Sequence, residues 1–272
     1  VISKKFIFYN YFFSNKTLFI FFFLSIIFFI IGYLDDRFNL SANKKLIILL
    51  SLIYFSVLFD KNIVLNELIF TFTNKAIYLE NFSSLFTVLC IVLFINAFNM
   101  FDGINSQAGL YAIFLFFVLW FVGVDQNLIF TFLIPLIIFI IFNYKGKMFL
   151  GNTGSLLLSI ILSLILILSF KEQKLYADEI VLLLIFPGLD MLRLFLNRLI
   201  NHKNPFDADT NHLHHLIIER YNLPITLFLT TIVQGLVFFT YLINQLSIIY
   251  FFIFLVFYYL SLYLFFKKKN YV

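Results

Sequence analysis

The chain has 272 residues, 62% hydrophobic and 12% charged, with a formal net charge of +5. Soluble domains carry about 25% charged residues, so the composition excludes a soluble globular protein and points to a polytopic membrane protein. The positive balance calls for no nucleic-acid partner, because membrane proteins concentrate Lys and Arg on one side, and the single cysteine, Cys90, excludes an intramolecular disulfide.

In chain order, apolar runs fall at about 17–34, 44–59, 84–98, 109–124, 127–142, 155–170, 179–197, 223–243 and 246–266. A membrane span needs roughly 20 residues, so the shorter runs must extend into flanking polar positions. The expected fold is all-α and polytopic, with about nine transmembrane helices. Between the second and third runs, 62–65, 68–73 and 76–79 are short β-prone pieces that predict a small external β-hairpin. No initiator Met precedes Val1, and nothing after the first run resembles a small-residue cleavage site. Residues 1–272 read as one transmembrane domain.

Nine spans would place the termini on opposite sides, and the basic residues indicate which is which. Arg37, Lys44, Lys45, Lys145, Lys147, Arg193, Arg198, Lys203, Arg220, Lys267, Lys268 and Lys269 follow the odd-numbered runs. Lys61, Lys75, Lys171 and Lys174 fall on the other side, and Lys4, Lys5 and Lys16 precede the first run. The richer side is expected to face the cytoplasm. Four polar clusters fall on that same side.

The first cluster is Asp35-Asp36, directly after the first run. Adjacent acids there read either as a solvated helix end or as a working pair. In the second case one carboxylate orients a cation and its neighbour, raised by the like charge, accepts a proton. Lys45, nearby, anchors the helix to the surface or contacts phosphate. The second cluster comprises Asn96, Asn99, Asp102 and Gly103 at the end of the third run. Asn96 and Asn99 share a helix face and act either as helix–helix glue or as a ligand-facing edge. The third, Gly151 to Ser155, is a small-residue loop that either binds an anion at a helix N-terminus or is a plain cap through Thr153 or Ser155. The fourth is His212, His214 and His215, with Arg193, Arg198, His202, Lys203 and Arg220 in the same long loop. Three His suit a transition metal; basic neighbours and the lack of a Cys ligand favour phosphate.

Taken in order, these clusters resemble the polyprenyl-phosphate N-acetylhexosamine-1-phosphate transferases, glycosyltransferase family 4. Gly32 to Ser41 is similar to the family's first aspartate motif, Asn96 to Ile104 to its second and Phe149 to Ser155 to its third. Asn204 to His215 is similar to its sugar-nucleotide loop, in the form seen in the undecaprenyl-phosphate GlcNAc-1-phosphate transferase-like branch. The resemblance implies an Mg²⁺-dependent enzyme of the plasma (inner) membrane with a cytoplasmic active site. A UDP-N-acetylhexosamine would give its sugar-1-phosphate to undecaprenyl phosphate, releasing UMP and initiating a lipid-linked envelope glycan. Whether the chain pairs with a second copy stays open. The resemblance also implies roles. Asp35, Asp36 and Asp102 would be catalytic, with Asp102 shaping the nucleotide pocket. Lys45, Asn96, His212, His214 and His215 would bind substrate, and Asn99 and Asn152 would sit at the metal positions.

Some positions depart from the family pattern. Asn152 stands where many members carry a metal-binding Asp, Asn105-Ser106 where the bacterial pattern has Asp-Gly, and Thr210 where an Arg is frequent. Two N-terminal spans and a Gly-rich loop usual in the family are not in the sequence, which is expected to lack them. Two other readings therefore stand beside the enzyme: an inactive or truncated homologue acting as a membrane partner, and a polytopic transporter.

Overall fold

The computed structural model describes residues 14–73, 75–202, 211–244 and 247–267. Among them are α1 (Asn15–Phe38), α2 (Ala42–Phe59), α3 (Ser83–Phe101), α4 (Gln107–Phe121) and α5 (Gln126–Tyr144). They continue with α6 (Gly151–Lys171), α7 (Ala177–Ile200), α8 (Leu213–Ile218), α9 (Leu223–Asn244) and α10 (Ser247–Lys267). A helix covers each of the nine apolar runs, and α8 carries the histidines. Five segments among the described residues are long and apolar enough to cross a membrane: α1, α2, Glu80–Phe101, α5 and α6. The expected nine spans are therefore not all met by length and composition. The 15 residues of α4 reach only about 22 Å at 1.5 Å per residue, and α7 carries Asp178, Glu179, Asp190, Arg193 and Arg198.

The bundle is built around α6, which packs on α1, α3 and α4. An apolar helix without a polar face is buried on all sides, and α6 is buried almost without interruption from Ser155 to Phe170. Its serines keep it narrow. Ser155, Ser159 and Ser163 repeat every four residues, the small-residue spacing that lets helix backbones approach. Ser163 Oγ returns its hydrogen bond to Ser159 O at 2.7 Å and Ser169 Oγ to Ile165 O at 2.7 Å. α5 behaves oppositely, exposing Ile134, Ile137, Ile138 and Ile141. An apolar belt of this kind is unfavourable in water and suited to lipid.

Pro187 interrupts α7 and cannot donate to the carbonyl of Leu183. The fully buried Tyr111 of α4 supplies the missing donor, its hydroxyl meeting Leu183 O at 3.0 Å. An apolar interior requires such replacement, because no water is there to take the freed carbonyl.

The two ends of the bundle differ. At one, β1 (Glu67–Leu68) and β2 (Ile77–Tyr78) form the expected antiparallel hairpin, pairing Glu67 with Tyr78. The piece at 62–65 is not a strand, contrary to expectation. Asp60 Oδ1 accepts the Asn62 N–H at 2.9 Å and winds Lys61–Ile63 into a 3-10 turn. This end is pinned by Thr17 Oγ1 on Asp60 Oδ2 at 2.6 Å and by Lys171 Nζ on the carbonyls of Lys61 and Val64. The described parts of all four polar clusters lie at the opposite end.

Candidate active site

The site starts from a close approach. A Cβ on Gly32 would lie 2.5 Å from both Asn152 O and Thr153 Cα, so α1 meets the first turn of α6 backbone to backbone. One turn on, Asp36 reaches across. Its Oδ1 accepts the Asn152 N–H at 2.8 Å, and its Oδ2 accepts the Thr153 N–H at 2.9 Å and the Thr153 hydroxyl at 2.6 Å. The first N–H groups of a helix lack intrahelical partners and attract a carboxylate. α6 has no side-chain cap of its own, so of the two readings of this loop the plain cap through Thr153 or Ser155 is not met; Asp36 caps it instead. Gly151 turns at φ +61°, and a Cβ there would meet Asp36 Oδ2 at 2.8 Å. Gly32→Ala is expected to push α1 from α6, costing about 1–3 kcal/mol as other overpacked contacts do and most of any activity. Its melting midpoint and turnover in detergent check this.

Asp35 and Asp36 are not a carboxylate pair in mutual contact. Asp35 is buried and bonds Lys45 Nζ at 2.7 Å, tying α1 to α2. Asp36 faces α6. The acid shifted upward outside the membrane spans is Asp102, at the end of α3. Burial first, and the Asp36 charge second, push its carboxyl up to about 7. A folded pKa above the unfolded 3.8 makes ionisation oppose folding. The stability contributed by the protonated carboxyl is fully present below about pH 4 and lost as pH rises through about 7. Asp102→Asn should therefore raise the thermal midpoint relative to the parent at pH 8 more than at pH 5, measured without divalent cation.

Asn99 faces α6 as well, its Oδ1 accepting Ser155 Oγ at 2.5 Å. Asn96, expected to share its face with Asn99, turns its Nδ2 back to Val92 O at 3.0 Å. The oxygens of Asp36, Asp102, Asn99 and Asn152 form a hard donor set of the kind Mg²⁺ takes. An amide oxygen has two lone pairs, so Asn99 keeps one beyond its bond to Ser155. The repulsion felt by Asp102 is of the kind a divalent cation relieves. These residues fit the ion.

The histidines close on the second cluster. A Cβ on Gly103 would lie 2.1 Å from His214 Nε2 and 2.8 Å from His215 Nε2. His212 and His214 stack in parallel, 5.2 Å apart at 10°, and His214 meets the Phe101 ring edge-on. His214 is fully buried, and neither ring nitrogen has a hydrogen-bond partner among the described residues. Burial first, then the His212 and His215 charges, pull its pKa down to about 3, so it is neutral at pH 7. Asp190 of α7, which the motifs do not contain, completes this corner. It accepts His212 Nδ1 at 2.7 Å, Arg193 Nη2 at 2.9 Å and the Tyr258 hydroxyl at 2.7 Å. Asp190, His212 and His214 lie close enough to share a metal, but the Arg193 guanidinium holds the same carboxylate and repels a cation there. The stretch 203–210, with Lys203, the first half of the sugar-nucleotide motif and Thr210, lies outside the described residues.

Apolar helices exposed around their girth, with carboxylates, amides and imidazoles gathered at one end, define an integral membrane protein. The chain belongs to glycosyl transferase family 4, whose family model matches residues 18–170. Its relatives include a Thermotoga maritima protein named undecaprenyl-phosphate alpha-N-acetylglucosaminyl 1-phosphate transferase, 32% identical over 202 residues, 74% of this chain and 62% of that protein. An Escherichia coli protein of the same name is 29% identical over 70% of this chain and 55% of its own length. The phospho-N-acetylmuramoyl-pentapeptide-transferase of Petrotoga mobilis is 31% identical over 51% of this chain and 48% of its own length. The chain thus spans between about half and three fifths of the curated relatives it matches.

Proposed function

We propose that this chain transfers N-acetylhexosamine-1-phosphate, most readily GlcNAc-1-phosphate, from a UDP-sugar to undecaprenyl phosphate and so initiates a lipid-linked envelope glycan. A lipid phosphate oxygen attacks the phosphorus that bears the sugar, the bond to the UMP phosphate breaks, and UMP leaves. The reading is carried by the run of contacts joining all four motifs: Asp36 on Asn152 and Thr153, Asn99 on Ser155, Gly103 against His214 and His215. Asp36 clamps the first motif to the third. Asp102, half-ionised near pH 7, suits a proton acceptor for the lipid phosphate. Lys45 and Asn96 would contact substrate, and neutral His214 would donate its one N–H to a donor oxygen. Asn99, Asn152 and the neighbouring carboxylates would hold Mg²⁺, which when bound offsets charge on the diphosphate.

Membranes from cells expressing the chain should move label from UDP-[¹⁴C]GlcNAc into an undecaprenyl-linked product, dependent on added Mg²⁺. No transfer, beside a longer family member that does transfer, would favour the inactive-homologue reading. We also place the site in the cytoplasm, in a nine-span topology of the plasma membrane. A reporter after Lys269 should read as cytoplasmic and one at Lys75 as external; the reverse would overturn the topology.

A further inference from the structure

We propose that Asp190 is a positioning residue that sets the tautomer of His212, keeping a proton on Nδ1 and leaving Nε2 to accept a hydrogen bond from a hydroxyl of the sugar-nucleotide donor. The inference rests on the reaction proposed above and adds to it a residue outside the four motifs. Asp190 is 2% exposed and cannot itself reach a substrate in bulk solvent. Nor is it free to take a proton. Its two oxygens receive His212 Nδ1, Arg193 Nη2, the Tyr258 hydroxyl and, at 3.3 Å, the Leu213 N–H. Four donors fill a carboxylate's capacity of about four acceptor sites. What remains for it is to hold.

The hold is directional. Arg193 and Tyr258 both bond Oδ1, while His212 Nδ1 bonds Oδ2. Arg193 also bonds Tyr258 through Nε at 3.0 Å and the Asn211 carbonyl at 2.6 Å, so the residue before His212 is tied to the same hub. A carboxylate can only accept, so the nitrogen facing it must be protonated. The hydrogen bond made by one ring nitrogen decides what the other can do. His212 stacks on His214, and His214 lies on Gly103. Orienting the first ring therefore orients the corner that faces the second motif.

This arrangement makes Asp190→Asn informative. Arg193 and Tyr258 claim the oxygen position, so the amide must turn its NH₂ to His212 Nδ1. An NH₂ donates, Nδ1 becomes the acceptor, and the proton moves to Nε2. The shape of the corner is kept while the tautomer reverses. A purely structural role would leave the donor KM unchanged by that reversal.

The experiment uses the full chain in detergent, labelled with ¹⁵N-histidine, with His212 resonances identified by their loss in His212→Gln. The wild type is expected to carry a proton on His212 Nδ1, and Asp190→Asn to carry it on Nε2 alone. The KM for UDP-GlcNAc should rise about tenfold or more in that variant, a range typical of groups that orient a ligand-binding His. The KM for undecaprenyl phosphate should change less than about twofold, since the loss is confined to donor binding. Tyr258→Phe leaves Arg193 on Oδ1 and should keep the wild-type tautomer. A neutral Nε2–H form in the wild type overturns the proposal, and this spectrum decides even if Asp190→Asn is not recovered folded. An unchanged tautomer, or a reversed one with unchanged donor KM, also overturns it. Absence of transfer by the wild type would instead remove the reading of the reaction and leave the tautomer result standing.

Discussion

Asp36→Asn is expected to lower transfer by about 10²–10⁴-fold, the range for loss of a positioned acid–base or electrostatic group, with little loss of folded protein. The two effects separate because they have different origins. Removing a cap from one helix costs about 0.5–2 kcal/mol, and an amide oxygen at the Oδ2 position still accepts two of the three hydrogen bonds from Asn152 and Thr153. The rest of α1 stays packed on α6. What the substitution removes outright is the negative charge between the first and third motifs. Asp35→Asn is expected to act as strongly for a different reason. It leaves Lys45, whose ammonium bonds Asp35 at 2.7 Å, without its counter-charge at the base of α2, and removing one partner of a largely buried pair is costly. Parallel measurement of initial rates and detergent melting midpoints distinguishes loss of chemistry from loss of fold. Near-wild-type rates in both variants would remove the first motif from the mechanism.

Much of this end of the molecule was legible in the sequence because membranes make polar residues conspicuous. Asn96, Asn99, Asp102 and the histidines stand out where lipid would favour Leu or Phe, and the four clusters do meet at one end. What the motifs could not convey was who bonds whom. Adjacency suggested that Asp35 and Asp36 would share a site, but neighbours on a helix point about 100° apart, one toward Lys45 and one toward α6. The third motif read as an anion site or a self-capped start, whereas its cap comes from α1, which Gly32 lets approach closely. Asp190 carried a usable signal: an Asp and an Arg three residues apart inside an apolar helix mark an intramembrane pair. Tyr258 carried none, since a tyrosine in an aromatic-rich helix is unremarkable until the helix is placed. The serines at 155, 159 and 163 announce a close helix contact by their spacing, and α6 is the helix on which α1, α3 and α4 pack. The piece at 62–65 was misjudged because β-branched composition says nothing of Asp60, whose side chain winds the next residues into a turn.

Asn152→Asp is expected to lower the Mg²⁺ concentration for half-maximal activity by about tenfold, worth about 1.4 kcal/mol, for one added carboxylate near the cation. Asn152 sits at the first turn of α6, its N–H on Asp36 at 2.8 Å, and Asp102 already feels the Asp36 charge. A third carboxylate has opposite consequences with and without the ion. Without a divalent cation the added charge repels its neighbours, so the variant should melt earlier than the parent at pH 8. Mg²⁺ should then raise its midpoint more than the parent's, because an ion that binds only the folded state stabilises it by mass action. The pH dependence follows in sign. In the parent, Asp102 must shed its proton to carry charge, so Mg²⁺ affinity should rise as pH passes upward through about 7. In Asn152→Asp the like charge is larger, which pushes Asp102 further up, and the rise should move to higher pH. Specificity for sugar and lipid should not change, because the substitution alters charge at the ion and not the shape of either binding surface. An unchanged Mg²⁺ dependence would remove Asn152 from the ligand set. The ion would then have to rest on Asp36, Asp102 and Asn99, the other oxygens gathered where α1, α3 and α6 meet.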